Sequence, residues 1–305
     1  MSDSIFNREK SKLSLNNKRR SARTEAARPS RAQGGSQSER ARPQRPVAGE
    51  DLGFAGRSSY DKQKEVKLYG EKACLAVFAA RPHDIVRLYL TDQTAPRFAQ
   101  LMKFLAANKR AYHVLPEAEL EKIGGTSHHE GVVMLVRRKP WLNLAQWLSQ
   151  PAVKGAVLAL DEVANPHNLG AIMRSAAHFG VRTIISTRPE LLQSGAAVRT
   201  AEGGFEGVDL VRVPSLAEAL PELRAAGFAL AFTSSHQGQS LYTQALPEGL
   251  VLVLGEEKQG VSQALLQAEG LKLSIPGVGA VESLNVSVAA ALLMGEWYRQ
   301  WRSRG

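Results

Sequence analysis

Three glycine-bearing turns, each placed after a short apolar run, hold the side chains best suited to chemistry. The first spans Asp161 to Gly170 and opens a helix carrying Arg174. Asn168 has the side-chain oxygen of a helix cap, and a guanidinium offers a planar fork of donors to a phosphate. Taken alone, Arg174 reads first as a surface arginine paired with an acid. The second turn, Gly255 to Ser262, follows the run LVLVL. Its two glycines have phosphate-loop spacing, yet Val261 stands where the phosphate-binding lysine belongs. Glu256 and Glu257 would repel phosphates, so the loop suits a ligand carrying positive charge. A plain strand-to-helix turn capped by Ser262 explains it equally well. The third turn, Ile275 to Asn285, carries Gly277 and Gly279, but Glu282 replaces the third glycine of a dinucleotide fingerprint. What remains is a permissive loop whose backbone can face a ligand, with Ser283 and Asn285 at a helix start. His128, His129 and His167 lack cysteine partners and metal-ligand spacing, so they read as ordinary surface histidines and no metal is expected.

Alternating elements must hold these turns in place. From Glu65 to Arg138 the expected order is a helix at Lys67 to Ala80, a strand at Asp84 to Leu90 and a helix at Pro96 to Ala107. A strand at Ala111 to Leu115, a helix at Pro116 to Ile123 and a strand at Val132 to Val136 complete it. Leu142 to Leu148 reads as a short helix between Lys139-Pro140 and Gln150-Pro151. The strands Ala156 to Leu160, Val181 to Ser186, Phe228 to Phe232, Leu250 to Leu254 and Leu271 to Ile275 then alternate with helices. Those helices are Leu169 to Phe179, Ala219 to Ala226 and Asn285 to Trp301. Wholly apolar strands of this kind belong inside a parallel sheet covered on both faces, so the fold class is α/β, doubly wound. Ligands in such sheets sit at the carboxyl ends of the strands. On the last helix, Trp297 and Trp301 lie four residues apart, as do Met294 and Tyr298. Core packing explains this stripe, and so does a subunit interface.

Composition bounds the setting. The chain has 305 residues, 44% hydrophobic, with one cysteine. Cys74 alone can form neither an internal disulfide framework nor a cysteine-based zinc site. It lies in an apolar helix and is expected to be buried. No run approaches the roughly 20 apolar residues of a membrane span, and the first sixty residues lack a leader's apolar region, so a cytoplasmic location is expected. Residues 1–48 carry twelve Lys or Arg against four acids, which is eight of the ten net positive charges. Poor in apolar residues, this tail over residues 1–60 is expected to be disordered and to attract polyanions, RNA foremost.

Taken together, the three turns resemble the SpoU (TrmH-type) family of RNA 2'-O-ribose methyltransferases, in the SPOUT superfamily. Asn168, Gly170, Arg174 and Ala176 match its first motif. Leu254, Gly255, Glu257 and Gly260 match its second, and Ile275, Pro276 and Ser283 to Ala289 match its third. Tyr69-Gly70-Glu71 and His129-Glu130-Gly131-Val132 resemble pieces of the family's small substrate-binding domain, similar to a ribosomal-protein L30e-type fold. Departures exist. Ala201 stands where the family has serine, Glu256 and Lys258 where small residues are common, and Gly277 where methionine is common.

The resemblance implies an L30e-like RNA-binding domain at 65–138, a linker at 139–153 and a methyltransferase domain at 154–305 with a C-terminal trefoil knot, and the basic tail at 1–60 lies outside it. It implies S-adenosyl-L-methionine held by backbone groups at Gly255, Ile275 and Leu284, a homodimer through the C-terminal helix, and tRNA or rRNA as substrate. The methyl acceptor would be a ribose 2'-hydroxyl, with Arg174 nearest the chemistry. Because a guanidinium stays protonated, Arg174 would grip a phosphate beside the target ribose and align or acidify the hydroxyl rather than act as a base. Asn168 would orient Arg174 or the ribose. Glu257 would order the loops and favour the positive ligand, and Ser283 and Asn285 would contact the ribose or the methionine end. The rival reading is a non-catalytic RNA-binding accessory protein that retains the cofactor fold.

Overall fold

In the computed structural model, residues 64–151, 155–234, 238–256 and 259–301 are described. The tail at 1–60 lies outside them, as do Glu257 and Lys258.

The first part of the chain builds a four-stranded sheet from β1 (Glu65–Tyr69), β2 (Ile85–Leu90), β3 (Tyr112–Val114) and β4 (Val132–Arg137), in the order β1-β4-β2-β3. Helices α1 (Glu71–Ala80), α2 (Ala99–Ala107) and α3 (Glu117–Gly124) connect them. The helix expected over Lys67 to Ala80 is thus corrected. Its first residues form β1, which pairs antiparallel with β4 from Glu65↔Arg137 to Tyr69↔Val133, and only α1 is helical. The turn between them brings two motif pieces together, since the Gly70 N–H donates to the His129 carbonyl and the Glu71 N–H to Glu130 Oε2.

The second part is an eight-stranded sheet. After β5 (Leu142–Asn143) and α4 (Leu144–Leu148) come β6 (Ala156–Leu160), α5 (Pro166–Phe179), β7 (Thr183–Ser186), α6 (Pro189–Leu192), α7 (Gly195–Thr200) and β8 (Asp209–Arg212). Then follow α8 (Leu216–Ala225), β9 (Ala229–Thr233), β10 (Gln239–Ser240), β11 (Leu250–Leu254), α9 (Gln263–Leu266), β12 (Leu271–Ser274) and α10 (Val286–Trp301). The order is β10-β12-β9-β11-β6-β7-β8-β5, and every pairing is parallel. Sequence reading missed β8 and α7, each too short to show a period.

Burial follows the two-residue period of a strand. Leu158 and Leu252 face one apolar cluster, whereas Val157 and Val251 face another. The first cluster is covered by Ile172 and Met173 of α5 and by Leu293 and Trp297 of α10, and it runs on without a break to Val77 of α1 and to Leu68 and Leu88 of the small sheet. The second is covered by Leu220 and Leu223 of α8 and by Trp147. Both faces of the sheet are therefore covered, as its wholly apolar strands require. Trp297 is core, with its indole N–H on the Glu248 carbonyl, whereas Trp301 is 44% exposed. The aromatic stripe thus divides between packing and surface. No helix among the described residues is long and apolar enough to cross a membrane.

Candidate active site

β6 and β11 are neighbours in register, with Leu160 opposite Leu254. Strand numbering reverses direction on either side of this pair, so a crevice opens beyond their carboxyl ends. The chain leaving β11 folds back at once. Glu256 bridges to Gly260, and a Cβ on Gly255 would fall 2.0 Å from the Gly260 carbonyl group. Only glycine fits there. The Asp161 carboxylate fixes the far side of the turn by accepting the Ser262 N–H at 2.8 Å. The resulting cleft of ≈550 Å³ is lined by Asp161, Glu256, Asn165, Asn168, Gly260 and Val286. That volume lies within the usual range for small-molecule sites.

Two helices begin at this cleft. Asn165, not Asn168, caps α5, because its Oδ1 accepts the His167 and Asn168 N–H groups and Pro166 fills the first turn. An asparagine followed by proline was the available signal. Helix α5 accordingly starts three residues before the expected Leu169, and Arg174 lies in its third turn rather than its second. Asn168 instead is buried and accepts the side-chain N–H of Asn285 at 3.0 Å. The Asn285 Oδ1 accepts the Ser287 N–H at 2.9 Å and the Ser287 hydroxyl at 2.6 Å, which caps α10. Both positive helix ends therefore face a cleft that also holds the carboxylates of Asp161, Glu162 and Glu256. Ser262 precedes α9 without a side-chain cap bond.

The remaining expected residues spread around this centre. Gly255 is buried in the closed turn, and Ile275 packs against the core at the end of β12. Ser283 and Leu284 are exposed on the run into α10. Glu257 lies outside the described residues.

Arg174 faces elsewhere. It stands seven residues after His167, hence on the same side of α5, and both line a second cavity of ≈620 Å³. There the Arg174 guanidinium meets Glu202 Oε2 at 3.1 Å, and the same oxygen accepts Lys72 Nζ at 2.8 Å. The Lys72 hydrogen bond, with the charge of Arg174 added, holds the Glu202 carboxyl below the usual glutamate value. Arg174 is thus paired with an acid as well as poised at a cavity. Glu202 and Lys72 were missed, since nothing in their spacing links them. His129 is corrected too. It is buried, and its Nδ1 accepts the Gly131 N–H. Cys74 is fully buried, which pushes its thiol well up.

The sequence profile of the SpoU rRNA Methylase family matches residues 155–295, and that of the RNA 2'-O ribose methyltransferase substrate-binding domain matches residues 67–142. The uncharacterized tRNA/rRNA methyltransferase YfiF of Escherichia coli O157:H7 is 44% identical over 255 residues, covering 81% of this chain and 74% of its own. The chain belongs to the SpoU family. A further SpoU relative, the 23S rRNA (guanosine-2'-O-)-methyltransferase RlmB of Nitrosomonas europaea, is 32% identical over 78% of this chain and 92% of its own. The crystal structure of an AdoMet-bound rRNA methyltransferase from Sinorhizobium meliloti shares the fold at a TM-score of 0.65 and 23% identity, covering 79% of this chain and 89% of that one. The SpoU profile takes in the whole cleft, from Asp161 to Asn285.

Proposed function

We propose that this SpoU chain methylates a ribose 2'-hydroxyl of structured RNA, tRNA or rRNA, with S-adenosyl-L-methionine as donor. The observation that carries the reading is the Asn168–Asn285 hydrogen bond, which joins the first and third family motifs at one cleft. The cleft's own groups fit the donor. Two helix ends favour a carboxylate, while Asp161 and Glu256 favour a cationic centre. When bound, S-adenosylmethionine supplies an already activated sulfonium methyl. Backbone groups at Gly255, Ile275 and Leu284 hold it, Glu257 orders the loops and favours its charge, and Ser283 and Asn285 contact the ribose or the methionine end.

The chain's remaining tasks are positioning and proton removal. A guanidinium is no base at neutral pH. Arg174 therefore grips a phosphate beside the target ribose and lowers the hydroxyl's proton affinity by its charge, so that the proton passes to solvent water as the methyl moves to the oxygen, a task for which a bidentate fork suits better than lysine. Asn168, held by Asn285, orients the ribose.

The same reading assigns RNA capture to residues 65–138 and the basic tail at 1–60, and methyl transfer to 154–305, with 139–153 as linker. It includes the family's trefoil knot and a cytoplasmic location. It also includes a homodimer through α10, where Val288, Leu292, Tyr298 and Trp301 stand exposed. Incubation with radiolabelled donor and total RNA from cells lacking this chain tests the activity. Label should enter RNA with the wild type and fall at least a hundredfold with Arg174→Ala. RNA binding without any transfer would favour the accessory-protein reading instead.

A further inference from the structure

We propose that Lys72 and Arg174 form an RNA phosphate site spanning the two sheets, and that the Glu202 carboxylate is its displaceable occupant. The proposal rests on the methyltransferase reading for its ligand and deepens it by naming where the RNA backbone enters.

The geometry is that of an anion already seated. One oxygen, Glu202 Oε2, accepts from Lys72 of α1 and from Arg174 of α5. A non-bridging phosphate oxygen can accept the same two donors. The three side chains are exposed, at 70% for Lys72, 58% for Arg174 and 35% for Glu202. Ion pairs this open to water contribute little, so an incoming phosphate replaces the carboxylate at little cost. Glu202 also holds a left-handed backbone, at φ 46°, a conformation unusual for a residue with a Cβ.

A second carboxylate repeats the arrangement in the same cavity. Glu130, left-handed at φ 55°, accepts Arg199 Nε on one oxygen and the Glu71 N–H, in the first turn of α1, on the other. A helix N-terminus and a guanidinium together favour an anion. The cavity wall thus has two anion positions, each filled by the chain itself. The half-buried Arg81–Glu206 pair and the continuous apolar cluster also join the two sheets. Two such positions in one cavity give the backbone of an RNA strand two places to be held.

The test measures the Kd of the full-length chain for bulk deacylated tRNA and for rRNA fragments by fluorescence anisotropy, across a salt series. Glu202→Gln should tighten binding three- to tenfold. Glu202→Gly removes the carboxylate and suits the left-handed backbone, so it folds at least as well and should tighten binding similarly. Lys72→Gln should weaken binding to all the RNAs and reduce the slope of log K against log salt by about one. Weaker or unchanged binding in both Glu202 variants would mark Glu202 as a clamp and overturn the proposal, as would an unchanged salt slope in Lys72→Gln. Methyl transfer by the wild type is read separately. Its absence, with the expected shifts in Kd, would sink the catalytic reading and leave the site standing. Transfer with unmoved Kd values would sink the site alone.

Discussion

Asn285 donates its side-chain N–H to Asn168 Oδ1 at 3.0 Å, across 117 residues of sequence. The same residue caps α10 through Ser287. Asn285→Ala should therefore lose a cap and an inter-helix hydrogen bond, each worth about 1 kcal/mol. The expected fall in Tm is about 4–8 °C. Asn285→Ser, which can still cap, should recover roughly half of that fall. It should not recover methyl transfer, because the shorter side chain cannot hold Asn168. Calorimetry and a transfer assay on the two variants separate the contributions.

Gly255 and Gly260 make a contrasting pair. A Cβ at Gly255 would overlap the backbone of Gly260, whereas one at Gly260 would meet nothing within 4 Å. Gly260→Ala should cost about 1 kcal/mol, from its left-handed φ of 67° alone. Gly255→Ala should open the turn and abolish donor binding, read by titration calorimetry with S-adenosylmethionine. Normal binding by Gly255→Ala would show that the closed turn is dispensable.

The legibility of the chain follows the range of the forces involved. Strands β6 and β11 were visible as unbroken apolar runs, and helices α5 and α10 because their apolar periods are local and long. Strand β1 was read as helix because Leu68 continues the apolar spacing of α1. What makes it a strand is β4, more than sixty residues away. The motif residues Asn168 and Asn285 were legible as participants, but not as partners. Which of Asn165 and Asn168 caps α5 turns on a proline whose signal was present and unread. Glu202 showed no sign of an ion-pair role, which exists only once Lys72 of α1 and Arg174 of α5 meet at its carboxylate.

Arg81 and Glu206 form a two-pronged ion pair at 2.9 and 3.1 Å, with side chains only 13% and 9% exposed. Removing one partner leaves a buried charge, so Arg81→Ala should cost about 3 kcal/mol. Arg81→Met combined with Glu206→Leu should cost clearly less than the two single changes summed. Urea denaturation of the three variants measures the difference.

Glu296 is buried in α10 and accepts from Arg299 at 2.6 and 2.8 Å and from Gln300 at 2.8 Å. The Arg299 hydrogen bond holds its carboxyl below the ordinary value, with Gln300 assisting against the opposing effect of burial. A depressed carboxyl stabilises the fold above its unfolded value, and that stabilisation disappears as pH falls through the folded one. Glu296→Gln should therefore lower stability by about 1 kcal/mol at pH 7, discounted for the exposure of Arg299. The gap from wild type should stay constant above about pH 5 and shrink in more acid solution. Thermal melts across pH 3–8 would show it. A gap that widened in acid would contradict the assignment.

The passage between the two sheets is stitched rather than loose. Lys139 donates its N–H to Gln193 Oε1 at 2.9 Å and its carbonyl accepts the Gln193 Nε2–H at 2.7 Å, while Lys139 Nζ donates to the carbonyls of Glu206 and Val208. Four hydrogen bonds thus fasten the backbone and side chain of one lysine to the second part, so a change at Gln193 would free the stretch that leaves β4.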